Sequence, residues 1–235
     1  MLLEVSDLRS GYGRLTILHG VDLEAEAGRV TTLLGPNGAG KSTIMKAIAG
    51  ELAVAGGDVR LDGRSIAALG ALDTARAGVA YVPQERNVFA GLTVRENLRT
   101  AALAFNGGER RLGDVFARFP ILKERANQPA SSLSGGERQI LAISTALVGA
   151  PSLLLLDEPT AGLAPMFVDL IIDWVGELTA RGMGVVWVVE QTPEKILTLS
   201  ETTFVVGAGR IADVVPSSEL LLNGRLERVV FEMHQ

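Results

Sequence analysis

Two hydrophobic rhythms divide the chain. Leu2 to Leu8, Val21 to Ala25 and Val59 to Leu61 step between apolar and polar residues, and each run ends in glycine-rich punctuation. That period of two predicts half-buried antiparallel strands in a small sheet. The second rhythm is unbroken: Val79 to Val82, Leu153 to Leu156 and Val185 to Val189 offer no polar face, which predicts parallel strands covered on both sides. Between the last two, Phe167, Leu170, Ile171, Trp174, Val175 and Leu178 recur at three- and four-residue steps, Pro165 suits a first helical turn and Gly182 suits an exit. Strand, helix and strand in that order predict a right-handed crossover.

Residues 85 to 146 follow a helical pattern instead. Thr93 with Glu96 reads as a capping box, apolar positions continue through Leu98 and Leu103, and Gly107-Gly108 marks a turn. This segment is expected to form a helical subdomain inserted between core strands. Near the end, Thr203 to Val206 and Arg210 to Val215 flank Gly207-Ala208-Gly209 as two short strands, and a final helix is expected from near Ser217.

Chemistry enters where the apolar run Arg29-Val-Thr-Thr-Leu-Leu34 meets Gly35-Pro36-Asn37-Gly38-Ala39-Gly40-Lys41-Ser42, which fits the phosphate-loop pattern G-x-x-x-x-G-K-[ST]. The loop therefore joins a strand to a helix, expected from Ser42 to Ala49. Glycines let successive N–H groups curl inward to phosphate oxygens, and the positive end of the helix dipole adds to them. Lys41 supplies a mobile charge for the β- and γ-phosphates, and the Ser42 hydroxyl is placed to ligate Mg²⁺. Thr43, in the first turn, is counted with the nucleotide-contacting residues. The segment is expected to bind a nucleoside triphosphate.

Composition narrows the setting. At 235 residues there is room for one α/β domain with a sizeable core. Cysteine is absent, so neither a disulfide framework nor a thiolate metal site is available, which fits a reducing compartment. The start shows no basic segment ahead of an apolar one, so no secretory signal is expected. Apolar residues make up 47% of the chain, yet the longest weakly polar stretch, Ile140 to Leu156, is broken by Ser144, Thr145, Gly149, Pro151 and Ser152. It does not read as a bilayer-spanning helix. A net charge of −5 argues against non-specific nucleic-acid binding, so no nucleic-acid partner is expected.

Two further segments narrow the chemistry. Leu153-Leu154-Leu155-Leu156-Asp157 is a buried strand ending in a carboxylate, where an acid can hold Mg²⁺ beside Ser42. Glu158 follows at once and can polarise a water in line with the γ-phosphate, as general base or as water orienter. The bland alternative is a strand end and turn. Leu133-Ser134-Gly135-Gly136-Glu137-Arg138-Gln139 places serine and two glycines at a helix start, a second anion-binding end, or else a plain cap in which Glu137 completes a capping box.

Taken together, these segments resemble the motifs of the ATP-binding cassette (ABC) family, in the family's order and over essentially the whole chain. The resemblance implies a single α/β domain, 1–235, with a P-loop NTPase core of mainly parallel sheet. An N-terminal antiparallel β subdomain would occupy about 1–28 and 57–66, and an inserted α-helical subdomain with the signature motif about 85–146. ATP and Mg²⁺ would be the cofactors. Tyr12, within Gly11-Tyr12-Gly13, is similar to the aromatic that stacks on adenine; the alternative is an ordinary strand-end aromatic. Gln84 resembles the glutamine that reaches Mg²⁺ and the γ-phosphate and relays their state to the helices. In the family two cassettes meet head to tail, so that Ser134, Gly135, Gly136 and Glu137 of one chain would face the γ-phosphate held by the other.

Two positions depart from the family's commonest pattern. Where many members carry a histidine, this chain reads Val189-Glu190-Gln191-Thr192; Gln191 can still donate a hydrogen bond to the γ-phosphate or orient water, or it is a surface polar residue. Ala161-Gly162-Leu163-Ala164-Pro165 has alanine where aspartate is common, which puts signalling through that carboxylate in doubt. These departures, with Phe119-Pro120-Ile121-Leu122, are similar to ATP-binding subunits of bacterial importers for branched-chain and other hydrophobic amino acids, or amides such as urea. The resemblance implies a cytoplasmic ATPase, peripheral on the inner face of the membrane. Its partners would be a second cassette protein, transmembrane permeases and, indirectly, a solute-binding protein. An exporter or lipid-extraction subunit shares every catalytic residue and stays open. A soluble cassette protein whose nucleotide state controls macromolecular binding also stays open, although the tandem cassettes, heptad insertions and basic extensions of such proteins are missing here.

Overall fold

The computed structural model describes every residue except Arg86, 106–107, 190–192, 223–225 and 227–235, with the backbone alone at 108–109. In chain order it forms β1 (Leu3–Tyr12), β2 (Leu15–Ala25), β3 (Val30–Leu34), α1 (Lys41–Ile48), β4 (Val54–Leu61), β5 (Arg64–Ser65), α2 (Ala71–Ala77) and β6 (Val79–Val82). The helices α3 (Val94–Ala102), α4 (Gly108–Arg118), α5 (Pro120–Glu124) and α6 (Gly135–Leu147) come next, and then β7 (Leu153–Asp157), α7 (Pro165–Ala180) and β8 (Gly184–Val189). After these come α8 (Pro193–Leu197), β9 (Ser200–Gly207), β10 (Arg210–Pro216) and α9 (Ser217–Leu220).

Two sheets result. The first is antiparallel, in the order β2-β1-β4-β5. The second runs β10-β9-β3-β8-β7-β6, with β9, β3, β8, β7 and β6 parallel and β10 antiparallel at one edge. The alternating pattern ends at Leu8, yet β1 continues to Tyr12, because pairing resumes after a register shift beside Asp7. Asp7 adopts φ 46° and its N–H donates to Asp22 Oδ1 at 2.9 Å, so the strand absorbs the irregularity as a bulge.

The unbroken apolar strands follow from two-sided burial. Leu154, Leu156, Val185, Trp187 and Val189 face a core shared with α3 to α7, while Leu153, Leu155, Val186 and Val188 face a core shared with α1 and the antiparallel sheet. Each fully buried aliphatic side chain contributes about 1.5–3 kcal/mol relative to exposure. The helical layer begins with the expected box: the Thr93 hydroxyl accepts from the Glu96 N–H, and the Glu96 carboxylate accepts from the Thr93 N–H at 2.8 Å. Among the described residues no helix is long and apolar enough to cross a membrane. The Ile140 to Leu156 stretch is divided, since α6 ends at Leu147 and β7 starts at Leu153.

One buried feature has no hydrophobic signal. Thr32 on β3, Thr203 on β9 and Ser217 at the start of α9 are 0% exposed, and Ser200 is 7% exposed. Their hydroxyls join in a ring: Thr32 to Thr203 at 2.6 Å, Thr203 to Ser217 at 2.8 Å, Ser217 to Ser200 at 2.9 Å and Ser200 to Thr32 at 3.2 Å. Every member is hydrogen-bonded, which offsets the burial of polar groups. The ring ties the strand that feeds the phosphate loop to the last strand pair and helix.

Candidate functional site

The carboxyl ends of β3, β7 and β6 supply one polar cluster. The loop Gly35 to Gly40 leaves β3, turns with Ala39 N–H donating to Pro36 O at 3.1 Å, and enters α1 as the Ile44 N–H reaches Gly40 O at 2.9 Å. Asn37 and Gly38 form its exposed tip. Lys41 is 5% exposed, and its Nζ donates to Gly35 O at 2.6 Å and Pro36 O at 3.0 Å. Ser42 Oγ donates to Asp157 Oδ1 at 3.1 Å, across the width of β8, while Thr43 is buried under the helix.

The loop is braced from behind. Gly209, in the turn between β9 and β10, donates its N–H to Ala39 O at 2.8 Å and accepts from the His19 N–H at 2.9 Å. It sits at φ 73°, and a Cβ there would lie 1.8 Å from Ile17 O. Only glycine fits so close to β2. Sequence reasoning makes this glycine a hairpin turn residue and gives it no part in the phosphate loop.

Asp157 ends β7 at 2% exposure. Burial raises its pKa above the ordinary carboxylate range, and hydrogen bonds from Ser42 and Tyr81 pull the other way. Tyr81 donates its hydroxyl to Asp157 Oδ2 at 3.1 Å, and burial, ahead of the Asp157 charge, pushes its own pKa up, so the phenol keeps its proton. Glu158 follows with φ 50°, a left-handed backbone that a glutamate rarely takes and that is held by its N–H on Val188 O at 3.3 Å. Gln84, just past β6, donates Nε2 to Glu158 Oε2 at 2.7 Å. Ser42 and Asp157 stand together, and Gln84 is bonded to Glu158, the residue after Asp157; hydroxyl, carboxylate and amide oxygens are the hard donors Mg²⁺ takes, so these residue types fit that ion. Among the described residues no group of three or more His, Cys, Asp or Glu side chains could hold a metal ion.

Tyr12 closes β1 with 46% of its surface exposed, and Lys46 Nζ of α1 stands 5.9 Å from its ring centroid. Ser134, Gly135, Gly136 and Glu137 lie on the helical layer, at the start of α6. The Ser134 hydroxyl accepts from the Glu137 N–H at 3.3 Å, and Glu137 Oε2 accepts from the Ser134 N–H at 2.8 Å. That bond, with Arg125 at 3.1 Å, lowers the Glu137 pKa. The glutamate carboxylate is thus committed to the cap. Gly136 is pressed against α7, where an added Cβ would lie 2.3 Å from the Phe167 ring. Gln191, with Glu190 and Thr192, lies outside the described residues.

Sequence reasoning passes over two residues here. Tyr81 is a polar-tipped aromatic inside an otherwise aliphatic strand, which is a readable signal. Asn87 gives none; its Nδ2 donates to Gln139 Oε1 at 2.9 Å and links the segment after Gln84 to the signature helix.

Comparison with known proteins matches residues 18–161 to the family described as ABC transporter. The "Probable branched-chain amino acid transport ATP-binding protein LivF" of Archaeoglobus fulgidus is 39% identical over 97% of this chain and 98% of its own length. The "High-affinity branched-chain amino acid transport ATP-binding protein BraG" of Pseudomonas aeruginosa is 37% identical over 96% and 97%. The "Lipopolysaccharide export system ATP-binding protein LptB" of Haemophilus influenzae is 31% identical over 97% and 96%. A solved structure of an ATP-binding subunit of an ABC transporter superposes with a TM-score of 0.85 at 28% identity, covering 100% of both chains.

Proposed function

Because this chain belongs to the ABC transporter family, whose ATPase subunits its relatives are, we propose that it powers an importer of branched-chain or other hydrophobic amino acids, or of related amides. The single observation carrying the ATPase site is the convergence at the sheet edge, with Ser42 3.1 Å from Asp157 and Glu158 2.7 Å from Gln84, beside the Lys41 loop. The two amino-acid transport relatives are 39% and 37% identical against 31% for the lipopolysaccharide-export relative, at similar coverage, which supports the importer reading.

In this reading the backbone of Gly35 to Thr43 cradles the triphosphate, Lys41 leaves its loop carbonyls for the β- and γ-phosphates, and Tyr12 stacks on the adenine. Ser42, Asp157 and Gln84 would hold Mg²⁺, which, when bound, neutralises charge on the phosphate oxygens. Glu158 orients a water towards the γ-phosphorus and takes its proton, while the bond to the bridging oxygen breaks and that oxygen leaves with ADP. Gln84 must release Glu158 for this step, so its bond links nucleotide state to the helical layer. Ser134, Gly135 and Gly136 of a second cassette, of the same or a sister chain, close the site. Gln191 supports the γ-phosphate. The assembly sits on the inner face of the membrane against permease subunits, and a solute-binding protein delivers the cargo.

A second reading, an export ATPase, draws on the lipopolysaccharide-export relative. Isolating the native complex and identifying its membrane subunits separates the two. For the site itself, Glu158→Gln is expected to bind ATP, release no phosphate and elute as a nucleotide-loaded dimer with itself or with a sister ATPase. Retained phosphate release removes Glu158 from its role.

A further inference from the structure

We propose that Tyr81 is a positioning residue for the cation site, a role that rests on the reading of Asp157 and Ser42 as that site: its phenol fixes the plane of the Asp157 carboxylate so that Oδ1 stays turned to Ser42.

Strand register places the two together. Tyr81 pairs with Leu155 across β6 and β7, and Asp157, two residues beyond Leu155, shares its face. The phenol therefore reaches along the sheet to the end of the neighbouring strand, where its oxygen lies 3.1 Å from Oδ2. A terminal carboxylate torsion is soft and roughly two-fold. Held only through Oδ1, the group could swing and exchange its oxygens; held at both, its plane is set. The two donors differ once a metal binds. Ser42 is itself a cation ligand, so its bond to Oδ1 is exchanged when the metal arrives. Tyr81 sits on the other oxygen and can keep its bond throughout. It is the only one of the two that can act as a fixed strut, in the way hydrogen-bonded neighbours orient metal-ligating carboxylates elsewhere.

The test uses the full-length chain with Glu158→Gln in every sample, so that ATP persists, and Mn²⁺ as a paramagnetic probe titrated by electron paramagnetic resonance at saturating ATP. Tyr81→Phe keeps the ring and removes the donor. It is expected to weaken Mn²⁺ binding about 10-fold, with ATP binding in EDTA and the melting temperature near those of the parent. Asp157→Ala is expected to weaken Mn²⁺ as well, and adding Tyr81→Phe to it should change nothing further, because the strut has lost the group it holds. Mn²⁺ affinity within twofold of the parent in Tyr81→Phe, or an undiminished loss when Asp157 is already alanine, overturns the role of Tyr81. Unchanged affinity in Asp157→Ala alone sinks the cation-site reading instead. A measurement without any change at Tyr81 stands beside these: the chain has two tyrosines, Tyr12 and Tyr81, so in Tyr12→Phe the tyrosine resonance Raman doublet reports Tyr81 alone. It should read as a hydrogen-bond donor both before and after Mg²⁺ and ATP are added; loss of that signature on loading overturns the proposal.

Discussion

Gly136→Ala tests the packing of α6 on α7. The added Cβ would stand 2.3 Å from Cγ and Cδ2 of Phe167 and 2.6 Å from Cδ1. Carbon atoms settle at about 3.5–4.0 Å, so the ring or the end of α6 must retreat by more than about 1 Å. Overpacking of that kind costs about 1–3 kcal/mol. Alanine favours a helix interior over glycine by about 1 kcal/mol, but Gly136 is only the second residue of α6, so little of that gain applies. The expected net loss is about 1–2 kcal/mol, or a melting temperature lower by about 2–8 °C for a chain of this size. Thermal melts of four nucleotide-free proteins, the parent, Gly136→Ala, Phe167→Ala and the double variant, isolate the contact. Phe167→Ala destabilises by removing a partly buried ring, and in its background Gly136→Ala should be neutral or stabilising. A parent-like melting temperature for Gly136→Ala, or an equal loss with and without the ring, refutes the steric argument.

Three further outcomes are expected. Tyr12→Ala should weaken ATP binding about 5- to 150-fold, the equivalent of one lost stacking contact of about 1–3 kcal/mol, while Tyr12→Phe stays near the parent; equal affinity for all three, read by nucleotide titration, returns Tyr12 to a strand-end aromatic. Glu137 carries a pKa lowered mainly by the Ser134 N–H, so its stabilising share is present above about pH 4.3, the unfolded value, and is lost as pH falls through the lower folded value. Urea melts between pH 6 and 3 should therefore show a shallower acid limb for Glu137→Gln than for the parent, and parallel limbs would count against the cap. Thr203→Val removes the centre of the buried hydroxyl ring, strips Thr32 and Ser217 of one partner each, and should cost about 1–3 kcal/mol in denaturant unfolding; a neutral result would mean the ring adds nothing to the attachment of α9.

Legibility depends on whether a residue's neighbours in space are also its neighbours in sequence. The phosphate loop, the Thr93 box and the strands β6, β7 and β8 declare themselves because spacing and period arise from local geometry. Most of α7 is readable from its apolar stripe in the same way. The short elements α2, α8 and β5 are not, since five to seven residues, or two, are too few to show a period. The bulge at Asp7 hides Arg9 to Tyr12 of β1 by shifting its faces. Within the site, Lys41, Ser42, Asp157 and Glu158 belong to recognisable runs. Gly209 and Tyr81 lie in runs that declare a turn and a strand but not a site: one supports Ala39 from more than a hundred residues away in the chain, and the other reaches Asp157 only because β6 and β7 are paired. Such partners exist only once the sheet has closed.

The hydrogen-bond partners at the proposed site also bear on how binding energy can be used there. Lys41 is held by Gly35 O and Pro36 O, Ser42 by Asp157, and Gln84 by Glu158, so each group meant for phosphate, metal or water already has a protein partner. On the proposed reading ATP would exchange hydrogen bonds more than add them, and a typical exchange nets only about 0.5–1.5 kcal/mol. The discriminating step on that reading is the Gln84 to Glu158 bond, because breaking it would release that carboxylate oxygen to water and let Gln84 turn to the metal. Binding energy from the phosphates and the adenine would thus be spent in opening that pair, which would tie readiness for hydrolysis to occupancy of the whole site. Gln84→Ala removes this one bond to Glu158, and on the proposed reading the ratio of its ATPase rate with and without the membrane subunits should fall; an unchanged ratio refutes the coupling.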